Sequence, residues 1–90
     1  MVYKKIIAST NDVFSGRQVR IHGILLRAGS TAATTKLEDA VTAGTNDFYY
    51  SPSVPIDGAI DHSWGSEGIT VNYVSVTLTG TGPILYLYYS

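Results

Sequence analysis

Three short stretches of this chain bring together residue types that perform chemistry in other proteins. Spacing decides whether they could do so here. Thr79-Gly80-Thr81-Gly82 is a glycine-rich loop. A phosphate-cradling loop needs GxxxxGK[ST] between a strand and a helix, so that backbone N–H groups and a lysine surround the anion. No lysine lies near this stretch, and Pro83 with a β-rich segment follows, so no helix N-terminus is available. The stretch reads as a turn linking two antiparallel strands.

Asp61-His62-Ser63 sets the residue types of a hydrolase triad side by side. Neighbours in extended chain point to opposite faces, whereas a triad converges from separate places in a fold. His22 reads as a residue on a half-exposed strand face, without a visible catalytic partner. Asp57, Asp61 and Glu67 could place carboxylates around a hard cation such as calcium. Their spacing is not that of an EF-hand loop, and three acids in a loop are ordinarily solvated. His22 and His62 are far apart in sequence, and the cysteine count of zero excludes disulfides and thiolate metal sites. The residues thus predict no catalytic set, no metal site and no cofactor.

Aromatic placement is the positive signal. Tyr49, Tyr50, Trp64, Tyr86, Tyr88 and Tyr89 are of the types that anchor protein interfaces and sugar sites. The run Ile84–Tyr89 is apolar on both parities. Tyr86 and Tyr88 go with Ile84 on one face, and Leu85, Leu87 and Tyr89 lie on the other. One set must close the subunit's own core, and the other needs cover that a chain this short can hardly supply. The candidate protein interface is therefore Tyr49, Tyr50, Trp64, Leu85, Tyr86, Leu87, Tyr88 and Tyr89.

The elements that position these residues read as strands. Gly, Thr and Ser recur, β-branched and aromatic residues fill the gaps, and turn signals come at short intervals, the rhythm of an all-β sandwich or barrel. The first strand spans about Tyr3–Ser9. The second, Arg17–Ala28, puts Val19, Ile21, Gly23 and Leu25 on one parity, and its second half is apolar on both faces. The third, Ala32–Ala40, points Thr35 and Leu37 inward, with Val41 a further candidate, and Lys36 and Glu38 outward. A short helix through Thr34–Thr42 is the rival there. Asp47–Tyr50 is a fourth strand, and Pro52 and Pro55 confine Val54 and Ile56 to an edge strand or extended loop. Asp57–Glu67 has no clear periodicity. After it, Ile69, Val71 and Tyr73 share one parity but Val74, Val76 and Leu78 share the other. Such a slip marks a bulge or a bend between sheets. Pro83–Tyr89 is the last strand.

Ninety residues fit one domain, 1–90. A chain of this size buries only roughly 60–65% of its unfolded surface, which leaves oligomerisation as a source of stability. The net charge of −1 argues against a nucleic-acid binder. No apolar run approaches the roughly 20 residues needed to cross a bilayer, and MVYKKIIAST does not read as a signal peptide. Charge is unevenly distributed. Residues 1–37 carry six bases and one acid, a balance of +5, while residues 38–90 carry six acids and no base, −6. Either the two halves interleave within the domain, or a basic side meets the acidic side of a neighbour.

VRIHGILLRAGSTAATTKLEDA, then GITVNYVSVTLTGTG, then a short aromatic strand, resembles small accessory virion proteins of tailed bacteriophages, β-sandwich proteins of about this length that decorate or cement a capsid or form knobs and collars on the particle. The resemblance runs over Val19–Ala40 and Gly68–Tyr89, while Phe48–Glu67 looks longer than that pattern. It implies an all-β fold, a small antiparallel jelly-roll-like β-sandwich. It also implies a structural, non-enzymatic role: a decoration or cement protein in the virion, assembled in the host cytoplasm. The implied partners are its own copies, with a trimer as the favoured homo-oligomer, and capsid or other virion subunits. Neither nucleic acid nor membrane is among them. The alternative is a glycan- or receptor-binding module that uses Trp64 and tyrosines as stacking platforms. An enzyme ranks third.

Overall fold

Short alternating runs of β-branched and aromatic residues, punctuated by Gly, Pro and Ser, have no helical stripe to bury and pair as strands instead. A computed structural model describes residues 2–44 and 48–90, with all their side chains except those of Phe48 and Tyr49. The described residues form nine strands and no helix: β1 (Val2–Ile6), β2 (Val19–Arg27), β3 (Ala33–Asp39), β4 (Phe48–Tyr50), β5 (Ser53–Val54), β6 (Ala59–Ser63), β7 (Ile69–Val71), β8 (Val74–Thr79) and β9 (Ile84–Tyr89). Asp47, expected to begin the fourth strand, lies outside the described residues.

The strands make two antiparallel sheets, the small β-sandwich that the sequence predicts. In the first, β1 lies beside β9 and β9 beside β2. The other side of β2 is shared by β7 along Val19–Ile21 and β6 along Gly23–Arg27. In the second, β3 has β8 on one side and β4 and β5 on the other. The core lies between the sheets. Ile6, Val19, Ile21, Ile24, Leu26, Val71, Leu85 and Leu87 come from the first, and Ala33, Leu37, Val54, Val74, Val76 and Leu78 from the second.

The parity slip after Val71 is a passage between sheets. β7 buries Val71 in the first sheet, the chain bends at Asn72–Tyr73, and β8 buries Val74, Val76 and Leu78 from the second. Tyr73 at the corner is exposed, and its N–H donates to Asp39 Oδ1 at 2.9 Å. Thr79–Gly82 likewise joins strands of opposite sheets rather than a hairpin pair. The turn docks on the one that follows β2, through Ser30 N–H to Thr81 O (3.0 Å) and Thr81 N–H to Thr31 Oγ1 (2.8 Å). Gly80 has φ 116° and Gly82 φ 73°, a region other residues rarely enter.

Several expectations are corrected. β6 runs through Asp57–Glu67, where no periodicity was visible, because an edge strand with one half-buried residue, Ile60, needs little apolar alternation. Glu38 does not face solvent but is fully buried. The chain beyond β3 turns back so that Gly44 N–H donates to Glu38 Oε1 at 2.8 Å, with Thr77 Oγ1 at 3.4 Å. Val41 is exposed, since β3 has already ended at Asp39. Leu85 and Leu87, counted in the candidate interface, are 1% and 0% exposed. They are the set on β9 that closes the core.

Gly29 is where the two turns touch: a Cβ there would lie 2.2 Å from Thr81 O and 2.6 Å from Gly82 O. Both obstacles are backbone, so nothing can rotate away. Gly29→Ala is expected to cost about 1–3 kcal/mol, the range for overpacking, and to lower Tm by about 5–20 °C. A thermal melt followed by circular dichroism checks this, and an unchanged Tm would refute the docking of the turns.

Candidate functional site

The bulge in β2 decides what the outer face of the first sheet looks like. Ile21 pairs with Tyr89 but Gly23 pairs with Tyr88, so the register shifts across His22. Ile21 therefore points inward, as do Ile24 and Leu26, while Gly23 and Leu25 are turned outward. The outer face is laid out in cross-strand rows. One row reads Tyr3, Tyr88, Gly23, Ser63, and the next Lys5, Tyr86, Leu25, Asp61. Tyr86 and Tyr88 are half-buried there, and the Tyr3 ring packs 5.7 Å from Tyr86 and 6.3 Å from Tyr88.

A cavity of about 450 Å³ opens on this face, its floor at Gly23 and its walls including Leu25, Tyr88, Asp61, Ser63 and His22. A Cβ on Gly23 would sit 2.8 Å from His62 O, so the strand pairing requires glycine and the floor stays open. His22 is 8% exposed and tied at both nitrogens: Nδ1 lies 3.2 Å from Gly65 O and Nε2 lies 2.8 Å from Ser90 Oγ. A carbonyl can only accept, so Nδ1–H donates to Gly65 O, while Nε2 and the Ser90 hydroxyl bond each other.

That pair resembles a nucleophile with its base, but the geometry serves fastening instead. The Ser90 amide donates to Arg20 O at 3.0 Å and the Gly65 amide to Ser63 Oγ at 3.1 Å, so neither is free to hold an oxyanion. Asp61 and Ser63 share the outer face, while the His62 ring packs elsewhere. Among the described residues no three His, Cys, Asp or Glu side chains gather as a metal site would require. Chemically, the face offers an aromatic surface, an open apolar cavity, one carboxylate and hydroxyls. It is equipped to bind.

The remaining expected site residues lie apart from it. Tyr50 and Trp64 join His62 in a cluster that spans β4 and β6: Tyr50 stacks on His62 at 4.6 Å, and Trp64 meets His62 at 4.7 Å and Tyr50 at 5.8 Å, both edge-on. Tyr89 packs against Phe14 at 4.6 Å and against the core. The Tyr49 side chain lies outside what is described. Reading the sequence overlooked Tyr3, Lys5, Gly23 and Leu25. A glycine within an apolar strand was the available signal, since it marks a bulge or a close approach.

No protein-family model, curated protein or solved structure matches the chain.

The cluster predicts a role for Trp64 in stability. Trp64→Ala removes its contacts with Tyr50, His62 and the core, and is expected to cost about 1–3 kcal/mol. Denaturant unfolding measures this, and an unchanged midpoint would mean that the rings do not hold β4 and β6 together.

Proposed function

We propose that the chain is a non-enzymatic structural protein of a phage particle, a capsid decoration or cement-type subunit that works by adhesion as a homo-oligomer, with a trimer as the favoured state. The observation that carries this reading is the outer face of the first sheet. Leu25, Ile84, Tyr86 and Tyr88 stay half-buried there and Tyr3 stays 61% exposed, a contiguous band of apolar and aromatic residues on one sheet face. The resemblance of 19–40 and 68–89 to accessory virion proteins supports the particle as the partner. The all-β fold agrees with that resemblance. Assembly in a host cytoplasm suits a cysteine-free chain.

The test mixes the purified protein with bare particles and follows their heat disruption. Binding with a raised disruption temperature is the expected result. Absence of both binding and protection would remove the cementing role.

The cavity favours glycan binding as the second reading, with a revised platform. Trp64 is occupied with Tyr50 and His62, whereas Tyr88 lines the cavity beside Asp61 and Ser63, which could bond sugar hydroxyls. On a glycan array this reading expects binding that Tyr88→Ala abolishes. An array blank with the parent protein would sink it.

A further inference from the structure

The sandwich treats its sheet edges unequally. On the second sheet the β8 edge is covered by the chain itself: Thr10 and Val76 exchange both backbone bonds at 2.9 Å, and Val13 N–H donates to Val74 O at 2.7 Å. On the first sheet, no described strand pairs with the outer side of β1 or of β6. Such an edge is a row of backbone donors and acceptors ready to pair with another chain. The short strands β7, β4 and β5 also pair on one side only, but β1 and β6 are the five-residue edges, and these two are opposite in charge. β1 carries Lys4 and Lys5, while β6 and its flanking loops carry Asp61, Asp57 and Glu67. Pairing β1 with β1, or β6 with β6, sets like charges together, and only β1 against β6 joins opposite ones.

Direction and register agree with the charges. Strands alternate in direction across β1, β9, β2 and β6, so β1 of a second copy in the same orientation runs antiparallel to β6. Lys5 and Asp61 end one row of the outer face, and Tyr3 and Ser63 end the next. Continuing the sheet without a shift brings Lys5 of the second copy opposite Asp61. It also brings Tyr3, 61% exposed in the single subunit, opposite Ser63 at the mouth of the cavity over Gly23. On the inner face Ile6 falls opposite Ile60. Both strands are five residues long, so almost the whole edge pairs.

We infer that a second copy of this chain docks its β1 edge on the β6 edge, with Lys5 against Asp61 and Tyr3 in the cavity over Gly23. The contact is heterologous, so it repeats from copy to copy and closes a ring where the rotation permits. It rests on the homo-oligomeric reading above and names the surface that carries it.

Sedimentation of the full chain across a concentration series is the test. The wild type should assemble, less tightly as salt rises past about 150 mM. Lys5→Glu and Asp61→Lys should each weaken assembly about tenfold or more, and the double exchange should restore it. An equimolar mixture of the two single variants should assemble better than either alone, because each supplies the edge the other lacks. A strictly monomeric wild type at micromolar concentration, or an oligomer indifferent to both exchanges, overturns the inference. Should a variant fail to fold, amide exchange of the wild type decides. Protection of β1 and β6 that grows with concentration supports the contact, and protection confined to other strands overturns it. Particles stabilised by a protein that stays monomeric would overturn this contact alone. Assembly through these edges without particle binding would overturn the particle reading and leave the contact standing.

Discussion

The bulge at His22 is the feature on which the rest of the first sheet depends. β2 pairs with β9 along one side and with β7 and then β6 along the other, so every strand of that sheet except β1 is registered on it. One extra residue at position 22 reverses the parity of everything beyond. It lets Val19 and Ile21 share the core with Ile24 and Leu26, although the two pairs lie on opposite parities in sequence. The same shift turns Gly23 and Leu25 outward and creates the open-floored cavity. His22 is held by carbonyl and hydroxyl partners from the 65 loop and residue 90, so the residue that the β9 ladder skips is fastened at both ring nitrogens. Core packing and the layout of the outer face are two consequences of one irregularity.

This explains what could be read in advance and what could not. Strand type, the two-sheet architecture and the passage at Asn72–Tyr73 were legible, because each leaves a periodic trace: Val71 and Val74 cannot both face inward on one straight strand. The bulge was not read, since Ile24, Leu25 and Leu26 are all apolar and conceal the slip that polar residues would have exposed. β6 was hidden for the opposite reason. An edge strand of Ala, Ile, Asp, His and Ser has one residue to bury and therefore little pattern to show. Glu38 was misplaced because alternation describes one face of a sheet and cannot foresee that the chain will fold back over the other.

The candidate interface divided along the same line. The aromatic run of β9 was correctly seen as two faces with one core, but parity alone could not choose between them. Registration on β2 puts Leu85 and Leu87 inside and leaves Tyr86 and Tyr88 outside. Tyr50 and Trp64 look like interface residues by type, yet they meet each other across β4 and β6 with His62 between them. Residue type picked out Tyr86 and Tyr88 but not Tyr3 beside them. Topology decided which rings meet one another and which face outward.

That β9 turns Tyr86 and Tyr88 outward and Leu85 and Leu87 inward suits the two environments. Leucines in place of Tyr86 and Tyr88 would leave that part of the face without a hydrated group and would favour apolar contacts less selectively. A tyrosine places comparable apolar area on the face while its hydroxyl stays hydrated, so the same side chain is tolerable in water and useful against a partner. The charges at the two edges act in the same sense. Lys4 and Lys5 on one, with Asp61 on the other, discourage a subunit from pairing an edge with its own kind. A domain of this size, with no disulfide to reinforce it, cannot spare much of its apolar surface to water. Its outer aromatic face is accordingly built from side chains that carry a hydroxyl to the water beside their apolar rings.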